Sequence, residues 1–388
     1  MDKKEGEKNV RLLGLVSFLN DMSSEMINPV LPFFITSLGG GGAALGVIGG
    51  LRDSLSSLLK IFFGYISDKI GRKKIFLFFG YFISGFFKFL IAFSVSWVFV
   101  MLFLALERFG KGIRDAPRDA IVADSMPHNL GKAFGIMRAM DSGGAVVGSI
   151  ITLLLYWLLK IDFKPIIIIA AILSFISLLP ISGVKEKNVK TVNNLNVSFR
   201  KLSSRLRFFL VVAALYSLAN FSYMFFVLKA QNAFLPESSS LMTAAVLAIF
   251  LYILYNIFYS SFSLPFGKLG DKMGNKRVLM MGYTAFLVTT VGFVFAKTFV
   301  EFIFLFILYG LTYAITEANH RAFIAKLAPK HMKATALGTF YTITGLCALP
   351  SSIIAGLLWN KSTTLTFQYG AGVSLLCIIL LGLFWRKI

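Results

Sequence analysis

Gly64-Tyr-Ile-Ser-Asp68-Lys-Ile-Gly71-Arg72-Lys-Lys74 is echoed in the second half of the chain by Gly267-Lys-Leu-Gly-Asp271-Lys-Met-Gly274-Asn275-Lys-Arg277. Each copy follows a long apolar segment and precedes another. Two copies of one junction in a hydrophobic chain indicate internal repeats in a membrane, an arrangement typical of transporters.

Composition agrees. The hydrophobic fraction is 57 % and the mean hydropathy +0.77, above the roughly 45–50 % apolar usage of soluble domains. The net charge of +21 is not a nucleic-acid face, because the Lys and Arg residues fall in short polar gaps between apolar segments. Cys347 and Cys377 lie inside apolar runs and read as packing residues. His128, His320 and His331 form no ligand-spaced cluster with them, so neither metal nor cofactor is expected. No Walker-type loop is present, which disfavours an ATP-driven pump. Met1 to Val10 is polar, so no cleavable signal is expected.

About 20 apolar residues cross a bilayer, and twelve segments qualify: 12–37, 43–67, 74–95, 97–124, 131–158, 163–183, 206–234, 241–267, 277–297, 299–327, 332–358 and 365–386. The basic residues concentrate in alternate gaps, including Lys69 to Lys74, Lys185 to Arg205 and Lys268 to Arg277. The positive-inside rule makes that side cytoplasmic, with both termini and both copies of the junction on it. The expected organisation is an N-terminal bundle over 1–183, a cytoplasmic linker over 184–205 and a C-terminal bundle over 206–388, in the plasma (inner) membrane.

The repeat extends further. Arg118-Asp-Ala-Ile-Val-Ala-Asp-Ser-Met-Pro127 aligns with His320-Arg-Ala-Phe-Ile-Ala-Lys-Leu-Ala-Pro329, and Asn20 with Asn220. With these residues in view, the Gly-x-x-x-Asp-x-x-Gly-Arg/Asn-Lys-Lys/Arg junction resembles the signature loop of the major facilitator superfamily (MFS). The resemblance covers essentially the whole chain. It implies an all-α integral membrane protein with twelve transmembrane helices in two six-helix bundles around a central cavity, working by alternating access. It also implies that the loop latches the cytoplasmic side through Gly64, Asp68, Gly71 and Arg72, with Asp124 placed to pair with Arg72 and Asp271 marking the second copy.

Ionisable residues at mid-bilayer cost about 2.5–3.5 kcal/mol on insertion scales, so several together imply pairing or a wet pathway. The first half carries Asp21, Glu25, Arg52, Asp53, Lys60, Glu107, Arg108, Lys111, Arg114, Asp115, Arg118, Asp119, Arg138 and Asp141 within its spans. At about 1.5 Å of rise per residue, Asp21, Arg114 and Asp141 all lie roughly 15 Å from the cytoplasm. Asp21, Glu25 and Asp141 are therefore the candidate proton-coupling groups. Arg108, Arg114, Arg118 and Arg138 are their expected partners, or sites for an anion. A static network joining the first, fourth and fifth spans is the structural alternative. Arg52 and Asp53, in the outer half of the second span, are placed as an extracellular gate.

At the matching positions the second half is often neutral, as with Phe221 for Asp21 and Tyr341 and Thr344 for Arg138 and Asp141. Asn20, Asn220, Tyr223, Tyr255, Asn256, Glu317, His320 and Tyr341 are the candidate solute-binding residues, with lipid contact or packing as the alternative. The leading expectation is a monomeric, proton-coupled secondary transporter, with export of an amphipathic, drug-like solute favoured. The glycines Gly135, Gly143, Gly144 and Gly148 resemble an exporter's fifth-span motif, although Met140 stands where its Pro would be. The alternatives are an importer or exchanger of an organic anion and, from another class, a non-transporting receptor or scaffold. Partners follow: a small solute, protons and lipid, and no nucleic acid. The chain is not expected to be an enzyme.

Overall fold

The computed structural model describes residues 3–186, 203–235, 240–328 and 333–383. Most of the expected linker, and His331, lie outside them. The described chain is helical throughout, in the order α1 Lys3–Ile27, α2 Leu31–Ser37, α3 Gly42–Ile70, α4 Lys73–Ala92, α5 Trp97–Ser125, α6 Leu130–Trp157, α7 Phe163–Ile176, α8 Ser204–Ala219, α9 Met224–Phe234, α10 Leu241–Met273, α11 Asn275–Phe295, α12 Phe299–Leu327, α13 Lys333–Lys361 and α14 Thr363–Leu383. A short 3-10 turn, Leu179–Gly183, follows α7. Nine segments among the described residues are long and apolar enough to span a membrane. The expected spans missing from that set are α1, α3 and α5. They have 25, 29 and 29 residues, ample length to cross, and they carry most of the intramembrane charges.

Two expected spans are broken. The first stops at Ile27 and resumes as α2 after Asn28-Pro29-Val30, since proline supplies no N–H and pushes the residue before it out of helical geometry. The seventh breaks between Ala219 and Met224. Backbone freed within a bilayer must find partners inside the protein. Here the Leu218 carbonyl accepts from Ser351 Oγ and Tyr369 Oη, both at 2.7 Å, and the Ser222 N–H donates to Ser352 Oγ at 3.1 Å.

The chain forms two compact units, one of residues 1–39 and 55–195, the other of residues 40–54 and 196–388. The division falls inside α3. Its first part packs on α13 through small residues: a Cβ on Gly46 would strike the Ser352 carbonyl, and one on Gly50 would lie 2.8 Å from Leu349 Cα. Such close backbone approach is how membrane helices gain packing without a hydrophobic driving force.

Each unit has a core built from repeat-related residues. In the first, Leu77, Ile121, Val122, Ala133 and Met137 are buried together. In the second, Leu279, Phe323, Ile324, Ala336 and Phe340 are.

Candidate functional site

The two repeated loops share a backbone. Gly71 has φ +75° and Gly274 φ +91°, a region open mainly to glycine, and each lets one long helix turn into the next. The residues before them approach a neighbouring helix. A Cβ on Gly64 would lie 3.0 Å from Ala116 Cβ, and one on Gly267 3.9 Å from the repeat-related Ala318 Cβ.

Asp124 does have a basic partner in the first loop, but it is Lys73 rather than Arg72. Lys73 Nζ lies 2.7 Å from Asp124 Oδ2, while Arg72 is exposed. Lys73 begins α4 and its side chain is buried, whereas Arg72 precedes the helix with φ −123° and is exposed. Asp68 makes no cap on α4. Glu186 does so instead, accepting from the Lys74 N–H at 2.8 Å. Burial raises the Asp68 carboxyl above its ordinary range, Lys73 opposes the shift and Asp124 adds to it.

In the second loop the polarity is inverted. Asp271 lies on the loop and Lys326 on α12, their charged atoms 3.1 Å apart. Lys326 also donates to Asn275 Oδ1 at 2.6 Å, and Asn275 to Asn319 at 2.9 Å.

Inside the first unit, one polar chain joins four helices. Ser17 of α1 donates to Asp141 of α6, and Arg118 of α5 donates to Ser17 Oγ at 2.7 Å. Arg118 Nη1 stands 3.9 Å from Asp141. The other edge of the guanidinium grips Asp119 Oδ1 at 3.1 and 3.0 Å, and Asp119 reaches Lys60 of α3 at 3.7 Å. The half-buried Asp21 is an electrostatic neighbour of Asp141, and Arg138 is exposed one turn before it.

Glu25 accepts from Asn28 at 2.7 Å. Arg108 and Arg114, the expected partners of Asp21 and Glu25, have close neighbours on α5 and α4. Arg108 pairs with the adjacent Glu107 at 2.9 Å, which Ser84 also holds. Arg114, 2 % exposed, stacks 4.2 Å over the Tyr81 ring, with Asp115 at 4.0 Å. Rise along a helix gives depth but not azimuth, and a neighbour in sequence can satisfy a guanidinium first. Asn20, 1 % exposed, is held in the packing by Ser174 and Lys88.

Lys88 is a further buried group of this unit, outside the candidate residues above. Its signal was plain: a lone lysine in the Phe-rich third span.

The second unit presents tyrosines where the first has charges. Tyr255 contacts the rings of Tyr252, Tyr259, Tyr309 and Tyr313 at centroid distances of 4.9–6.1 Å. Tyr223 lies against Tyr252. Arg52 donates to Tyr223 Oη at 2.8 Å and sits 5.0 Å over its ring, while Asp53 beside it is exposed. Tyr313 donates to Asn220 at the break in the seventh span, at 3.0 Å. Tyr259 donates to Glu317, which also pairs with Arg321 at 2.8 Å. Asn256 is buried beside Tyr255, and Tyr341 is half-buried against Phe340. His320 is buried, shares a 2.8 Å hydrogen bond with Tyr283 Oη and is ringed by Phe209, Tyr216 and Phe340. That is a histidine packed among aromatic rings.

The sequence profile of the Major Facilitator Superfamily matches residues 13–250 and 229–388. The chain belongs to this superfamily. It is 47 % identical over 380 residues to an uncharacterised MFS-type transporter of Methanocaldococcus jannaschii, covering 97 % of this chain and 95 % of the relative. Multidrug resistance protein MdtH of Klebsiella pneumoniae is 33 % identical over 132 residues, 34 % of this chain, and the match spans about a third (32 %) of that relative.

Among solved structures, the nucleoside transporter NupG superposes with a TM-score of 0.82 over 97 % of this chain and 99 % of its own, at 17 % identity. The human organic anion transporter MFSD10 gives 0.65 over 97 % and 99 %, also at 17 % identity. These likenesses establish the MFS transporter fold. As a multi-pass membrane protein of a transporter family, the chain has the bilayer as its solvent and a small-molecule solute as its partner.

Proposed function

We propose that this MFS chain is a proton-coupled secondary transporter that exports small amphipathic organic solutes by alternating access. The observation that carries the reading is the Asp141–Ser17–Arg118–Asp119–Lys60 chain, which links α6, α1, α5 and α3 across one unit. Protonating Asp141 removes its hold on Arg118 and leaves Asp119 as the remaining anion. A proton is thereby converted into a change in how three long helices are tied together. Asp21 and Glu25 are the further proton candidates on α1. The solute contacts fall to the second unit, where Tyr223, Tyr255, Asn256, Asn220, Tyr341 and Glu317 supply aromatic faces with a few polar groups, a composition suited to amphipathic ligands. Arg52 with Asp53 acts as the outer gate. The two repeated loops act as cytoplasmic latches, in a monomer of the inner membrane with both termini in the cytoplasm. The partial match to MdtH favours export.

An organic anion is the second reading. It is favoured by Arg114, a buried guanidinium whose Nη1 has no hydrogen-bond partner; Arg matches carboxylate and phosphate well.

Proteoliposomes loaded with ethidium or with dicarboxylates, under an imposed pH gradient, separate the two. Gradient-driven ethidium flux lost in Asp141→Asn supports the first reading, and anion flux with no ethidium flux the second. Absence of flux for both classes would leave a receptor or scaffold.

A further inference from the structure

Lys88 lies in the second half of α4, and it is 2 % exposed. Its ammonium faces only neutral oxygens on α1: Ser24 Oγ at 2.9 Å, Ser23 Oγ at 3.0 Å, and the Asn20 carbonyl and Oδ1 at 3.4 Å each. Among the described residues no carboxylate lies within ion-pair distance of it. The charged groups around the site are Asp21 on α1 and Glu107, Arg108 and Arg114 on α5. Glu107 is already taken by Arg108 and Ser84. From α7 comes the Ser174 hydroxyl, which donates to Asn20 Oδ1 at 3.2 Å and fixes that amide.

A structural lysine in a membrane interior is ordinarily matched by a carboxylate, because an unpaired buried charge is costly. Here the partners are two hydroxyls, and a hydroxyl can accept or donate. With the ammonium present, Ser23 and Ser24 accept from it. With the amine present, either serine rotates its O–H to donate to the nitrogen lone pair. Both protonation states are therefore satisfied by the same cage, which a carboxylate partner does not permit.

We propose that Lys88, held in the Ser23–Ser24–Asn20 cage, is a proton-exchange site of this transporter, distinct from the Asp141 chain. The ammonium ties α4 to α1 by three donated bonds, and loss of the proton leaves a weaker tie. The site is a second place where a proton changes the contact between helices of the same unit. Its role in coupling rests on the proposed proton-driven transport, whereas its titration does not.

Two measurements separate these. Purified full-length wild type, Lys88→Gln and Lys88→Arg are unfolded thermally over about pH 6 to 9.5, with Lys88→Met in reserve if the glutamine variant does not fold. Arginine keeps a fixed charge over this range, so the difference in Tm between wild type and Lys88→Arg should change with pH by about 2 °C or more across the window. A flat difference overturns the proposal. In proteoliposomes, Lys88→Gln should retain gradient-free ethidium exchange while gradient-driven flux falls at least about tenfold. A pH-dependent Tm difference without ethidium flux in the wild type would keep Lys88 as a proton site and remove the export reading. Unchanged gradient-driven flux in Lys88→Gln would remove Lys88 from coupling.

Discussion

The two copies of the repeated loop solve one problem with opposite charges. In the first, the loop contributes the cation, Lys73, and the long helix the anion, Asp124. In the second, the loop contributes the anion, Asp271, and the helix the cation, Lys326. The backbone parts are shared: a left-handed glycine at the turn and a glycine facing an alanine one helix away. Duplication therefore kept the backbone geometry and a loop-to-helix ion pair but drew the loop member from different positions, since Asp271 matches Asp68 and Lys73 matches Lys276. The depth of the pair differs as well. The Lys73 side chain is 9 % exposed, against 52 % for Lys326. The same contrast continues into the bundles, where ion pairs fill the first unit and tyrosines the second.

The contrast between the units should show most strongly at interior positions related by the repeat. Glu107 and Arg108 occupy the places of Tyr309 and Gly310. Replacing Glu107 with Ala strands a buried guanidinium and should cost about 3–5 kcal/mol, seen as loss of the folded peak in size-exclusion chromatography. Tyr309→Phe, at the matching place, should cost about 1 kcal/mol or less. Equal losses would show that the charge content of the first unit does not set its stability.

Close packing comes next. A Cβ on Gly144 would strike the Phe18 carbonyl, so Gly144→Leu should destabilise by roughly 1–3 kcal/mol or more by overpacking, whereas Gly338→Leu, where nothing lies within 4 Å, should leave the melting temperature nearly unchanged.

The loops sharpen the comparison at smaller cost. Asp124→Asn leaves the shielded Lys73 without its anion and should cost about 1–3 kcal/mol. Lys326→Gln breaks an exposed pair and should cost about 0–1 kcal/mol. Reversing the first pair with Lys73→Glu and Asp124→Lys gives it the second pair's sign and should recover most of the single-site loss in a thermal-unfolding cycle. No recovery would mean that sign, and not only pairing, matters in the first loop.

The fold was legible because the repeat is carried by residues with backbone meaning. Gly71 and Gly274 had to permit a turn, and the long apolar segments had to cross. The charged spans α1, α3 and α5 were recognisable only by their place in the six-plus-six order, since charge lowers their hydropathy below that of their neighbours. Breaks were harder to read. Pro29 and Pro32 signalled the first, but nothing local marks Asn220 to Ser222. That break is held by Ser351, Ser352 and Tyr369, residues far along the chain.

Within the candidate site, Asp141, Arg118 and Ser17 come together, and Arg114 does not join them, because Tyr81 lies on the face its helix turns that way. Lys73 rather than Arg72 meets Asp124 for a similar reason, as helix α4 begins one residue later than the charge run. Depth, type and count of ionisable groups follow from sequence. Which of them touch depends on rotation about helix axes and on residues such as Tyr81 that carry no charge at all.

The central claim is that a proton acting on the first unit's ion chain drives solute movement. Ethidium flux in proteoliposomes, with and without an imposed pH gradient, measured for wild type and Asp141→Asn, tests it most directly. Wild type should respond to the gradient, while Asp141→Asn should keep gradient-free exchange and lose the response. Gradient-driven flux of wild-type size in Asp141→Asn would contradict it.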